Sequence, residues 1–101
     1  MDKTITPTEL AGLLDARKNI TLLDVRRKED YIKSADVIGE AQWKDPAAVD
    51  QWKHTLSNQQ DVVIYCVRGG SVSQTVQKQL VEAGIKATYL EGGLEAFNKI
   101  R

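Results

Sequence analysis

The chain has one cysteine, one histidine and two prolines in 101 residues, and each scarcity removes a class of function. A single cysteine, Cys66, cannot close an internal disulfide, so the fold does not lean on one and the chain is expected in the cytoplasm, where thiols stay reduced. One cysteine and one histidine cannot supply a usual zinc ligand set, and no metal is expected. The lone histidine, His54, falls in the helical segment around Trp52 and reads as a surface residue, which leaves Cys66 without the imidazole base of a cysteine protease. No run approaches the roughly eighteen apolar residues of a membrane span, and no signal-like apolar segment stands at the N-terminus. Fourteen acidic and fourteen basic residues cancel, so neither nucleic acid nor a membrane surface is expected as a partner. Repeats, low-complexity tracts and Gly/Ser linkers are absent too. Residues 1–101 therefore read as one small domain.

What is present alternates between short strands and helices. Thr6-Pro7-Thr8-Glu9 has the form of a helix start, with Thr6 as N-cap, Pro7 in the first turn and Glu9 closing a capping box. Leu10, Leu13 and Leu14 are its expected buried face. Ile20 to Val25 reads as a buried parallel strand. Asp45-Pro46 opens a second helix through Trp52, broken by Asn58 to Asp61. Val62-Val63-Ile64-Tyr65 is a further buried strand running into Cys66. The helix after Ser71 carries Val72, Val76 and Leu80 on one face and ends at Gly84. Ala87 to Leu90 forms the last strand, followed by Gly92-Gly93 and a helix bearing Leu94, Phe97 and Ile100. Trp43, Trp52 and Phe97 are expected in the core. Alternation of this kind implies an α/β fold in three layers, with a central, mainly parallel sheet flanked by helices and ligands bound at the carboxyl ends of the strands.

Cys66 stands at such an end. A lone cysteine closing an apolar run is by itself most often a packing residue. The following Val67-Arg68-Gly69-Gly70-Ser71-Val72 changes that reading, because a strand feeding a helix through a glycine-containing loop aims backbone N–H groups and the helix dipole at one point. Such surroundings, with the Arg68 cation two residues away, favour the thiolate, which is the nucleophile. Gly69 and Gly70 are expected to supply positive φ and close backbone approach to an anion, and Ser71 to cap the helix or contact the bound group.

Taken together, Leu22-Leu23-Asp24-Val25-Arg26, Tyr31 before Ile38 and Ala41, Tyr65-Cys66-x-x-Gly69, and Leu90-Glu91-Gly92-Gly93 followed by Ala96-Phe97 make the chain resemble the single-domain rhodaneses over nearly its whole length. The resemblance implies a sulfurtransferase without a cofactor. Cys66 would take the outer sulfur of a small anionic donor such as thiosulfate and carry it as a persulfide to cyanide, a low-molecular-weight thiol, thioredoxin or another protein thiol. The backbone from Val67 to Val72 would cradle the anion and Arg68 would orient the donor. Asp24 and Arg26 would support the loops around the sheet, and Gly92-Gly93 would form a tight strand-to-helix turn with Glu91 and Glu95 as rim charges.

Several positions depart from the family pattern. Ile38-Gly39-Glu40-Ala41 stands where Ile-Pro-Gly-Ala is frequent, the histidine often found before it is missing, and Phe97 replaces a tryptophan. Ser71 stands where many relatives carry arginine. Two other readings stay open. A rhodanese-like module can serve only for docking or sensing, although such modules often lose the cysteine. An oxyanion enzyme of the phosphatase or arsenate-reductase kind would need an arginine six residues after Cys66, and that position is Val72.

Overall fold

A computed structural model of the chain describes residues 4–56 and 59–100. Asn58, where the sequence marks a helix break, lies outside them. The elements in order are β1 (Thr4–Ile5), α1 (Pro7–Asp15), β2 (Ile20–Asp24), α2 (Lys28–Lys33), β3 (Gln42–Trp43), α3 (Val49–Trp52), β4 (Asp61–Tyr65), α4 (Ser71–Glu82), β5 (Ala87–Leu90) and α5 (Gly93–Ile100). The strands form one five-stranded sheet in the order β1-β5-β4-β2-β3, with every pairing parallel.

The period of two along the central strands sorts the core into two layers. Val62 and Ile64 of β4, with Leu23 and Val25, pack against Trp52, Val76 and Leu80 from α3 and α4. Val63 and Tyr65, with Leu22, face the other way and meet Leu10 and Phe97 from α1 and α5. Both faces of β4 are thereby covered, which is why Val62, Val63, Ile64 and Tyr65 follow one another without a charged residue. Each such aliphatic side chain contributes about 1.5–3 kcal/mol of burial free energy. No helix among the described residues is long and apolar enough to cross a membrane.

Local signals act as expected at the start of α1 and the end of α4. The Thr6 hydroxyl accepts from Glu9 N at 3.1 Å, and the Glu9 carboxylate accepts from Thr6 N at 3.0 Å, closing the capping box. The Thr6 backbone N–H first, and the Thr6 side chain second, hold the Glu9 carboxyl below its ordinary pKa. At the end of α4, Ile85 N donates to Leu80 O and Gly84 N to Val81 O, with Gly84 at φ +84°, which is a Schellman stop. The segment after Asp45 departs from a single helix. It is a 3-10 turn (Pro46–Ala48), one turn of α3 and a second 3-10 turn (Lys53–Thr55). Two further expectations are corrected. Leu13 and Leu14 are only partly buried. Trp43 is partly buried outside both core layers, stacked on Tyr31 at a centroid distance of 5.2 Å.

α1 closes with the same Schellman bonds, Lys18 N to Leu13 O and Arg17 N to Leu14 O. Here the left-handed position is Arg17, at φ +54°, a conformation that costs a side-chain-bearing residue about 1 kcal/mol relative to glycine. Arg17→Gly is therefore expected to raise stability by about 1 kcal/mol, read as a higher urea midpoint at unchanged slope. A lower midpoint would mean that the Arg17 side chain makes a contribution larger than the strain it imposes.

Candidate active site

β4 carries Cys66 out of the sheet at its carboxyl end, where the thiol residue is only 5% exposed. The chain then loops through Val67–Gly70 and enters α4. Among the described residues, no protein group accepts from the backbone N–H of any residue from Val67 to Ser73. Ser73 adds a fully buried hydroxyl without a protein partner. A row of unpaired donors at the start of a 12-residue helix, next to a thiol in sequence, is an arrangement able to hold an anion.

Hydrogen bonds from α5 set the orientation of that loop. Leu94 N donates to Cys66 O at 2.8 Å and Glu95 N donates to Val67 O at 3.0 Å. In a trans peptide the next N–H points opposite to the carbonyl, so tying these two carbonyls to α5 turns the Val67 and Arg68 amides away from α5. The approach of the two segments is so close that only glycine fits. A Cβ on Gly69, at φ +70°, would lie 2.8 Å from Leu90 O and 2.9 Å from Gly92 N. A Cβ on Gly93, at φ +61°, would collide with Cys66 O and lie 2.6 Å from the Val67 carbonyl. Gly93 thus belongs to the cysteine loop's support as well as to the turn after β5.

Asp24 and Arg26 form a buried pillar beside the loop. Arg26 Nε donates to both Asp24 carboxylate oxygens, at 3.0 and 2.8 Å, and one terminal nitrogen stands 2.6 Å from Asp24 Oδ2. Its Nη1 donates to Ser34 O and its Nη2 to Asp36 O. Burial alone would lower the Arg26 pKa, but the hydrogen bond and charge of Asp24 outweigh it and raise it. Tyr65, buried in the adjacent strand, accepts from Ile38 N at 3.0 Å, and burial pushes its phenol far above the ordinary tyrosine range. The segment from Ser34 to Ile38 is therefore tied to the sheet at three points. Where it turns, Ala41 N donates to Ile38 O across Gly39 at φ +53°, a backbone proline cannot adopt. The loop consequently differs from an Ile-Pro-Gly-Ala turn, and Glu40 projects exposed.

Cys66, Val67, Arg68, Gly70, Ser71 and Val72 line one cleft of about 420 Å³, with Arg26, Arg27 and Asp30 as the opposite wall. Gly69 is not a wall residue but fixes the loop behind it. A larger depression of about 810 Å³ lies near Arg17, Lys18 and Glu40 and holds no residue of the cysteine loop, so size does not locate the chemistry. Arg68 is 81% exposed and its Nε donates to Glu95 Oε2 at 3.2 Å. Two expectations for the loop are corrected. Gly70 has φ −84° and open space at its Cβ, so it needs no glycine-only conformation. The N-cap of α4 is Gly70 and makes no side-chain cap bond, so Ser71 is the first helical residue and not the cap. Sequence reasoning misses Arg27 and Asp30, because the short α2 that brings them to the cleft buries no residue and shows no apolar stripe.

The family model described as Rhodanese-like domain matches residues 6–100 of this chain. A tRNA 2-selenouridine synthase of Shewanella sp. (strain ANA-3) is 39% identical over 51 residues, which is 50% of this chain and 14% of that protein. The matched half of the chain thus spans about one-seventh of the length of the curated relatives it matches. A rhodanese-like domain protein from Staphylococcus aureus superposes with a TM-score of 0.84 at 27% identity, covering 94% of this chain and 90% of that one. A rhodanese homolog from the extremely thermophilic bacterium Thermus thermophilus gives a TM-score of 0.72 at 29% identity, covering 95% of this chain and 100% of that one.

The glycine contacts generate a stability test. Gly93→Ala is expected to cost more than about 2 kcal/mol, because strain at positive φ adds to a backbone collision, whereas Gly70→Ala should stay within about 1 kcal/mol. Equal losses in denaturant unfolding would contradict the bracing role given to α5.

Proposed function

Because the chain belongs to the rhodanese-like domain family, we propose that it is a sulfurtransferase that moves sulfane sulfur from a small anionic donor, thiosulfate or a close relative, to a thiophilic acceptor through a persulfide on Cys66. The observation that carries this reading is the run of backbone amides from Val67 to Ser73, without protein acceptors among the described residues, that follows a cysteine at the end of β4.

The chemistry divides into two displacements. Cys66 Sγ, as thiolate, attacks the outer sulfur of thiosulfate. An S–S bond forms to Cys66, the bond between the two donor sulfurs breaks, and sulfite leaves with the electron pair. Two anions are converted into two anions, so the loop amides stabilise negative charge throughout and have little to reorganise. In the second step the acceptor attacks the outer persulfide sulfur and the electron pair returns to Cys66 Sγ. Arg26 takes no part in contacting the donor, since Nε, Nη1 and Nη2 are all engaged by Asp24, Ser34 and Asp36. Asp24 and Arg26 support the loops. Arg68 orients the donor, and to do so it exchanges its exposed contact with Glu95, worth well under about 1 kcal/mol, for the incoming anion. Val72 supplies no cation where an oxyanion-hydrolysing site would need one, which weighs against that chemistry.

A second reading is favoured by the length relation to the tRNA 2-selenouridine synthases, in which the matching segment is a minor part of a longer protein. In it the domain is a sulfur carrier or docking module whose acceptor is a protein thiol, thioredoxin or another, and cyanide turnover is slow.

Thiocyanate formation from thiosulfate and cyanide tests the proposal. Cys66→Ser is expected to keep its circular dichroism and lose at least about 10³-fold in kcat/KM, because an alcohol does not hold a transferable sulfur. Turnover retained by the serine variant would refute a cysteine persulfide. Wild-type protein that loads sulfur but releases none to cyanide would select the carrier reading.

A further inference from the structure

The Cys66 cleft does not end at the cysteine loop. A second depression of about 550 Å³ shares Arg27, Ser71 and Val72 with it and continues between the start of α4 and the Asp45–Ala47 turn. Cyanide is comparable to one water, about 30 Å³, so neither it nor thiosulfate has use for such a space, which falls in the range of pockets that hold organic ligands. Its apolar lining is Pro46, Ala47, Val72 and Val76. Its rim carries charges of both signs, Arg27 and Lys28 on one side with Glu29 and Asp45 beside them.

The cations of this region are not equivalent. Arg26 is consumed by Asp24 and two carbonyls, and Arg68 does not line the second depression. Among the described residues, Arg27 forms neither an ion pair nor a side-chain hydrogen bond, and it lines both depressions. Asp45 uses Oδ1 to accept from Ala47 N at 2.9 Å, and no partner among the described residues takes its Oδ2.

We infer that this trough is the acceptor subsite, and that the acceptor it fits is a small zwitterionic thiol, an amino-acid or short-peptide thiol carrying both a carboxylate and an ammonium group. The inference rests on the sulfurtransferase reading and specifies its second step. The carboxylate pairs with Arg27, the ammonium with Asp45, and the carbon body lies on Pro46, Ala47, Val72 and Val76, leaving the sulfur directed past Ser71 toward Cys66. The acceptor thiolate attacks the outer sulfur of the Cys66 persulfide. One S–S bond forms, the bond to Cys66 Sγ breaks, and its electron pair restores the Cys66 thiolate, so the acceptor leaves as a persulfide and no oxidant or reductant is consumed.

Glutathione and 2-mercaptoethanol separate the subsite from the chemistry, since both are thiols and only the first is zwitterionic. Protein preloaded with thiosulfate, with Cys66 loading verified by intact mass, is mixed with each thiol, and the rate of sulfur loss is followed for wild type, Arg27→Gln and Ala47→Trp. Wild type is expected to saturate with glutathione, and each variant to lower the ratio of the glutathione rate constant to the 2-mercaptoethanol rate constant by about tenfold, the worth of one charge-assisted contact or of one filled cavity. Ratios unchanged in both variants, on protein that loads normally, would overturn the acceptor subsite while leaving the sulfurtransferase reading intact. Wild type that takes up no sulfur at Cys66 would overturn both.

Discussion

The site depends on two backbone hydrogen bonds, from Leu94 N to Cys66 O and from Glu95 N to Val67 O. A loop that presents its amides to an anion needs somewhere to send its carbonyls, and buried carbonyls without donors are costly. The first turn of α5 has donors that its own helix cannot use. One helix N-terminus thus satisfies the loop's acceptors, and the N-terminus of α4 contributes free donors on the other side. Gly69 and Gly93 follow from this arrangement, since the two segments touch at backbone distance and a Cβ on either has no room.

A second constraint supports the opposite wall. The Asp24–Arg26 pair is almost wholly removed from water, and such pairs add little net stability, because desolvation offsets most of the attraction. Its effect is geometric. Arg26 distributes its donors between Asp24 and the carbonyls of Ser34 and Asp36, so the residues joining α2 to β3 are fastened to the end of β2. Tyr65 adds a third tie through Ile38 N. The cleft is consequently walled by two tethered segments, one held from α5 and one from β2, and the residues between them, the exposed Arg27 and Arg68 and the half-buried Asp30, are left to meet solutes.

Much of this is legible in the chain. β4 shows itself as an uninterrupted β-branched run because both its faces are covered, and the caps of α1 and α4 are written in Thr6, Glu9 and Gly84. The family pattern rests on spaced residues that the fold brings to one end of the sheet, Asp24, Arg26, Cys66 and Gly93 among them. The two-residue strands β1 and β3 are not legible, since strands so short have no periodicity of their own and exist through pairing with β5 and β2. α2 escapes for a related reason, as it buries none of its residues. Gly92-Gly93 reads as a turn, which is local, while the contact of Gly93 with the Cys66 carbonyl is tertiary and leaves no mark on neighbouring residues. The same applies to Arg68, whose bond to Glu95 joins positions that only the fold brings near.

The central claim is that Cys66 carries the transferred sulfur. Intact-protein mass after incubation with thiosulfate measures that state without reference to any acceptor. The account predicts a gain of one sulfur atom on wild type, none on Cys66→Ser, and reversal on adding cyanide or reduced thioredoxin. An unchanged wild-type mass, or the same gain on Cys66→Ser, would contradict it.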